Sequence, residues 1–494
     1  MKTYTQQFWF ITGSQHLYGP EALEQVKKNS QIVTEGIAAS EHLPAELIFK
    51  GLVTTPAEIT AIMTAASADP NCAGIITWCH TFSPSKMWIN GINALTKPWL
   101  HLHTQFNKEI PADTIDMDFM NLNQAAHGDR EHGFIATRMG KTRKIVVGHW
   151  DSDHVKIQIG GWMRSAMGAL VSRSLNVVRI GDNMREVAVT EGDKVEAQIK
   201  LGWSVNTQGI GDVVEMMKTV TEADIDAKMA DYETQYTLAT DNIAHVRHQA
   251  HLQLAMEKLF KQEGAMAFST NFQDLHGVDQ LPGLASQDLM AQGYGFAGEG
   301  DWKTAAMTHI MKEMAKGLPK GTSFMEDYTY HFTGDGNDLI LGSHMLEICP
   351  TIADKKAEIQ VHPLGIGGKN DPARLVFPAK AGDAIVVTLV DMGGRMRMIV
   401  NDIACVTPPV MPNLPVASAL WKPAPNLEVS AHAWMLAGGA HHSVLSYDLT
   451  AEHMRDWAEI MGIEFVHINA DTTVNGIKQE LFFADVAWRL DHVR

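Results

Sequence analysis

The chain has 494 residues, of which 45% are hydrophobic and 20% charged, an ordinary globular composition that excludes disorder as its main state. At roughly 100–200 residues per domain, the length predicts about three domains. Lys+Arg 40 against Asp+Glu 57 leave a formal net charge of −17 with no basic block, which argues against nucleic acid or an anionic membrane as a partner.

From the N-terminus, the apolar run Phe8 to Ile11 is too short for a signal-peptide core. The most apolar stretch elsewhere, Ala384–Val390, is only strand-sized, so no membrane span is expected. Phe8–Thr12 predicts a first strand that breaks at Gly13. Helix and strand patterns then alternate: a helix over Glu21–Ala38, a strand over Glu46–Val53, a helix over Ala57–Ala66 and a strand over Ala73–Trp78. A helix over Pro84–Leu95 and strands over Trp99–His103 and Lys144–Val147 complete this part. Short apolar runs between amphipathic helices indicate a parallel sheet covered on both faces.

The pattern restarts at Asn176–Ile180, a strand ending in the turn residues Gly181-Asp182-Asn183. Elements over Lys194–Lys200, Ser204–Thr207, Val213–Thr219, Asn242–Gln262 and Ala265–Thr270 predict a second α/β domain. After Gly317 the runs become short and strand-like: Ser323–Phe332, Asp338–Leu346, Ala357–His362, Arg374–Phe377, Ala384–Asp391 and Arg395–Val400. Gly393-Gly394 between the last two reads as a hairpin turn or a bulge. The strand Glu464–Ile468, between helices around 450–461 and 478–488, closes the chain. The expected architecture is two Rossmann-like α/β domains (1–175 and 176–318), then a mostly antiparallel, barrel-like β domain with terminal helices (319–494). Cys72, Cys79, Cys349 and Cys405 form no CxxC or zinc-ribbon spacing, so reduced thiols and a cytoplasmic protein are expected.

No GxxxxGK[ST], HExxH or GxSxG occurs. The one GxGxxG, Gly293 to Gly298, follows a helical pattern rather than a strand, so no nucleotide cofactor is expected. The same segment sets Glu299 between two glycines, with Asp301 placed to cap the next helix. Glu326 and Asp327 sit inside an aromatic strand, His344 at a strand end, and His441-His442 after a Gly-Gly turn. Singly, each has a plainer reading: a solvated glutamate, an edge strand with its acids in water, a satisfied core histidine. Together they supply two carboxylates and two imidazoles without thiolate, a donor set for Mn(II), Co(II) or Fe(II) rather than structural zinc. Four protein ligands in an octahedral shell leave two positions, enough for the vicinal oxygens of an aldose. Gln15, His16 and Tyr18 directly follow the first strand, where open α/β sheets bind ligands, and form a neutral hydroxyl-binding loop or a plain capping turn.

The segments GSQHLYGPE, HTFSPSKMWI, MDFMNLNQAAHG, GDNMREVAV, GYGFAGEGDWKTA, GTSFMEDYTYHF, LGSHMLE, LGIGGKNDPARL and AGGAHH resemble those of the bacterial L-arabinose isomerases. The likeness runs from about Phe8 to the last helices. It implies an Mn(II)-preferring aldose–ketose isomerase (Co(II) or another divalent cation also serving) that converts L-arabinose to L-ribulose in the first step of L-arabinose catabolism, and also D-galactose to D-tagatose. The family's metal ligands fall on Glu299, Glu326, His344 and His442; of these, Glu299 and Glu326 can move the hydroxyl proton as general base and acid. Its substrate contacts fall on Gln15, Met184, Phe272, Tyr328, Ile366 and His441. His127 matches a residue lent to a neighbouring subunit, which implies a homo-oligomer, trimer or hexamer, with shared sites. A metal-dependent sugar epimerase or aldolase, and a non-catalytic sugar-binding protein, are the alternative readings.

Overall fold

The computed structural model describes residues 2–491. The chain divides into two compact units, the first ending at Leu170 and the second beginning at Val171.

In the first unit, β1 (Gln7–Gly13), β2 (Glu46–Val53), β3 (Cys72–Cys79), β4 (Trp99–His103) and β5 (Lys144–Val147) form one parallel sheet in the order β2-β1-β3-β4-β5. Burial follows strand position. β3, near the sheet centre, is buried at every residue, whereas the edge strands β2 and β5 keep exposed positions. Local chemistry starts the helices: Thr55 caps the helix Pro56–Ala68 in a reciprocal box with Glu58, and Pro56 occupies its first turn. Trp9, Ile11, Ile75, Trp88 and Trp99 pack into the core on one side of the sheet.

The second unit begins with β6 (Asn176–Ile180) and β7 (Ser204–Gln208), followed by the two-residue β8 (Thr237–Leu238), β9 (Ala265–Thr270) and β10 (Gly295–Ala297). Four of these form a parallel sheet in the order β10-β9-β6-β7. The chain leaves β6 toward one edge and later continues from β9 toward the other. The crevice beyond the carboxyl ends of β6 and β9 is therefore the switch point where such sheets bind ligands.

The remaining strands are β11 (Thr322–His331), β12 (Leu339–Ser343), β13 (Glu358–Val361), β14 (Ala373–Val376), β15 (Gly382–Asp391), β16 (Met396–Val406), β17 (Ala419–Pro423), β18 (His442–Ser446) and β19 (Glu464–Ile468). Six of them close an antiparallel barrel, β15-β18-β11-β12-β17-β16, because β16 returns to pair with β15. β19 lies outside the ring, parallel to β16, while β13, β14 and β8 make a separate small sheet. The Gly393-Gly394 turn is a hairpin: both glycines have positive φ, and Met392 N donates to Arg395 O at 2.9 Å. Met325, Trp421, Val386 and Leu445 belong to the core here.

The fold is thus mixed α/β with two parallel sheets and a closed antiparallel barrel, as the alternating and then strand-rich patterns predict. The helices Met117–Leu122, Ala125–Arg138 and Glu222–Gln235 were not legible: the first is only six residues long with none buried, and the other two are rich in charged and polar residues. No helix among the described residues is long and apolar enough to cross a membrane. All four cysteines are free and buried.

Candidate metal centre

Three segments of the second unit converge on one site. The first is the turn after β10. Glu299 has φ +62, a left-handed conformation that costs a side-chain-bearing residue roughly 1–2 kcal/mol and persists only where its surroundings enforce it. Its flanking glycines explain the enforcement. A Cβ on Gly298 would lie 2.8 Å from His344 Cε1, and one on Gly300, itself at φ +79, would lie 2.6 Å from Asn183 Cα. The second segment is β11, which runs between β12 and β18, so that Glu326 stands opposite Ser343 on one side and His442 on the other. His344 follows Ser343. The third is the Gly438-Gly439 turn, which leads through His441 to His442, the first residue of β18.

Both buried histidines are oriented by carboxylates. His442, with no exposed surface, donates from Nδ1 to Asp301 Oδ2 at 3.1 Å, and its Nε2 is buried with no hydrogen-bond partner. His344 donates from Nδ1 to Glu347 Oε2 at 2.5 Å. Each ring therefore presents Nε2 as its remaining nitrogen, the tautomer a metal-binding imidazole needs. The rings lie 5.8 Å apart, both edge-on to Phe324 at 5.0 Å, and Phe272 stacks on His344 at 6.0 Å. His441 Nε2 lies 3.2 Å from Glu299 Oε2, and its ring is 4.2 Å from that of His442.

The electrostatics follow from burial and pairing. Burial pushes the Glu299 carboxyl upward, but the bond from His441 and the neighbouring imidazoles outweigh it and hold the group below its ordinary value. Burial lowers His442, against the pull of Asp301, and so favours the neutral ring. At His344, burial is outweighed by Glu347, and the pKa rises. Asp327 is half-buried as a residue, but desolvation of its carboxyl and the adjacent Glu326 push it up to about 7. Asp301 is buried as well, and the Lys303 ammonium 3.6 Å away keeps it strongly acidic.

Among the described residues, Glu299, His441 and His442 form the one group of carboxylate, imidazole or thiolate donors close enough to share an ion, their ligand atoms all within 4.8 Å of one another. The expected set of Glu299, Glu326, His344 and His442 differs in membership, with His441 drawn in by its bond to Glu299. Glu326 and His344 stand beside this trio through the β11 register and the His344–His442 contact.

Other expected contacts fall around this centre. Met184 follows β6 and donates its amide to Glu299 O at 2.9 Å, while Phe272 follows β9; both occupy the switch-point crevice. Tyr328 is 43% exposed at the irregularity between Asp327 and Thr329, where β11 shifts register against β12. Ile366 is half-buried on the loop between β13 and β14. Gln15 and His127 belong to the first unit: Gln15 is half-buried after β1, and His127 is exposed with its ring 4.6 Å from that of Phe82. Residues missed as functional are Glu347 and the second role of Asp301. A signal existed for Glu347, which stands three positions after His344; none links Asp301 to a histidine 141 positions away.

Family descriptions match nearly the whole chain: L-arabinose isomerase N-terminal domain over residues 2–174, central domain over 176–317 and C-terminal domain over 321–464. The chain is 55% identical to the L-arabinose isomerase of Geobacillus stearothermophilus over 490 residues, covering 98% of each. It is 54% identical to the L-arabinose isomerase 1 of Bacillus licheniformis over 489 residues. It is also 54% identical to the L-arabinose isomerase of Clostridium beijerinckii over 491 residues, covering 99% of this chain and all of that one.

Proposed function

The chain belongs to the L-arabinose isomerase family and is an isomerase, and from that premise we propose that it interconverts L-arabinose and L-ribulose with a divalent ion held by Glu299, Glu326, His344 and His442. Mn(II) is the first candidate and Co(II) the second, since carboxylate and imidazole donors without thiolate suit both. The observation that carries the reading is His442: its ring is fully buried, Asp301 takes Nδ1, and Nε2 has no partner. An unpaired buried nitrogen costs about 1–3 kcal/mol, a penalty that ligation removes. The bound ion would supply Lewis acidity at the carbonyl of the open-chain sugar.

The protein's own groups do the rest. Aldose and ketose are isomers, so no external oxidant or reductant is needed. The O2 proton must leave, O1 must gain one, and the hydrogen on C2 must reach C1, either through an enediol or as a direct shift. Glu299, held ionised by its imidazole neighbours, is suited to accept a hydroxyl proton, and Glu326 serves as its counterpart. Phe272 and Met184 form the apolar wall that orients the sugar chain. Pairing with Glu347 and Asp301 keeps the two rings from turning their Nε2 atoms away.

The same site should take D-galactose to D-tagatose, since that sugar differs by one terminal hydroxymethyl group. A role at the entry to L-arabinose catabolism in the cytoplasm, and a homo-oligomer in which His127 serves a neighbouring subunit, complete the proposal. Exposure of His127 on its helix supports the last point. The test is ketose formation from L-arabinose and from D-galactose by EDTA-treated protein, with and without added Mn(II). Restoration by Mn(II) supports the reading, and full activity in EDTA overturns the metal dependence. A native mass equal to one chain would overturn the oligomer.

A further inference from the structure

The loop that follows β6 is wired to the loop that carries Glu299, and one buried side chain makes the connection. Asn183 is 3% exposed. Its Nδ2 donates to Thr190 O at 2.6 Å and to Gly300 O at 3.2 Å, while its Oδ1 accepts from the Arg179 guanidinium. Lys303, 1% exposed, donates to the same Thr190 carbonyl at 3.0 Å and stands 3.6 Å from Asp301, the partner of His442. From the β9 end, Asn271 Nδ2 donates to the carbonyls of Asp182 and Asn183, both at 3.1 Å. Met184 N closes the connection on Glu299 O at 2.9 Å, and Gly300 N donates to Thr270 O at 3.0 Å. The backbones touch so closely that a Cβ on Gly300 would fall 2.6 Å from Asn183 Cα.

We propose that Asn183 is a positioning residue for the metal centre: its carboxamide clasps the Gly300 carbonyl, enforces the left-handed turn at Glu299 and makes the Met184 loop and the ligand loop one mechanical unit. The inference rests on the metal reading above. Neither Asn183 nor Gly300 belongs to the ligand set, so the effect on the ion passes through the geometry of Glu299 and, by way of the Thr190 carbonyl and Lys303, of Asp301. Metal binding should in turn stiffen residues 181–191, which hold no ligand, because coupling between two sites is reciprocal.

The wild-type protein gives the first test, with Mn(II) alone as the probe. Its binding is measured by loss of the free-ion electron paramagnetic resonance signal, and amide exchange is followed over 181–191 and 298–301. The expected result is slower exchange at Met184 and across 181–191 on adding Mn(II). Binding without any change in 181–191 overturns the clasp, whereas absence of binding overturns the metal reading beneath it. The second test is Asn183→Ala beside Asn401→Ala. Asn401 is an equally buried asparagine whose Nδ2 serves the carbonyls of Ala424 and Ile468 in the barrel. Orienting partners of metal ligands typically change affinity on the order of 10–100-fold, so Asn183→Ala should weaken Mn(II) binding by about tenfold. Asn401→Ala should lower the melting temperature with Mn(II) affinity unchanged. Equal Mn(II) affinity in the two variants would show that Asn183 is only structural.

Discussion

Both units set histidines against carboxylates, yet in only one of them do further donors converge on a nitrogen left over. In the first unit, the single carboxylate of Asp129 is shared between His101 Nε2 at 3.0 Å and His103 Nδ1 at 2.8 Å. The Thr77 hydroxyl takes the other nitrogen of His101 at 2.8 Å. His132 stacks on His101 at 4.3 Å, with Trp88 and Trp99 edge-on, and neither of its nitrogens has a hydrogen-bond partner. In the second unit, His344 and His442 each have a carboxylate of their own on Nδ1 and keep Nε2. The lesson is that a carboxylate beside a histidine marks a metal site only when the opposite nitrogen is spare and other donors converge on it. Asp129 is shared by two rings, whereas Asp301 and Glu347 each hold a single ring by its Nδ1.

The sharpest way to break this distinction is to remove the rings. His442→Ala and His344→Ala should abolish Mn(II) binding and cut kcat/KM by orders of magnitude, since Lewis-acid assistance contributes several kcal/mol. His101→Ala should retain both properties and lose only melting temperature. Calorimetric titration with Mn(II) and the ketose assay decide the matter; an active His442→Ala protein in EDTA would erase the contrast.

Removing the carboxylates should do less. Asp301→Asn and Glu347→Gln keep the shape but weaken the hold on Nδ1, so Mn(II) affinity should fall on the order of 10–100-fold. Asp129→Asn should leave it alone. Similar losses in all three variants would mean that the Asp129 cluster is coupled to the metal centre after all.

The smallest effect concerns His132. Burial holds its pKa well below the ordinary value of 6.5, with His101 and Arg143 adding to the shift. The unfolded chain therefore binds a proton that the folded chain refuses. Stability from this group is complete above about pH 6.5 and is lost as the pH falls below it, by at most about 1.4 kcal/mol per pH unit. His132→Phe keeps a flat ring and removes the proton, so melting curves between pH 8 and 5 should fall less steeply than in the parent. Parallel curves would show that the unpartnered ring is not held neutral.

What the sequence revealed depended on distance along the chain. Glu299 was legible because its two glycines announce a tight turn, and Asp301 because it precedes a helix. The bond from Asp301 to His442 was not legible, since it spans 141 positions and exists only once the barrel has closed. The choice between His441 and His442 shows the same limit. Nothing local tells which of the two adjacent rings meets Glu299; His442 opens β18, and the structure draws His441 into the donor group as well. Strict alternation along β11 would put Tyr328 on the face of Glu326, and the register shift beside Asp327 removes that guarantee. Asn183 read as a turn residue, because its two carbonyl partners lie in segments that no local pattern connects.

Barrel closure also sets the order in which the protein can become competent. The hydroxyls of Thr322 and Ser446 meet at 2.8 Å across 124 positions, and His441 reaches Glu299 across 142. Closing loops of that length costs entropy before any contact compensates for it, so β18 docks late in folding. On the ribosome, the strands of both parallel sheets and five of the six barrel strands are synthesised before residues 441 and 442. Until then the proposed ligand set of Glu299, Glu326 and His344 lacks His442. The proposed ligand set is thus complete only once β18, the last barrel strand in the chain, has registered.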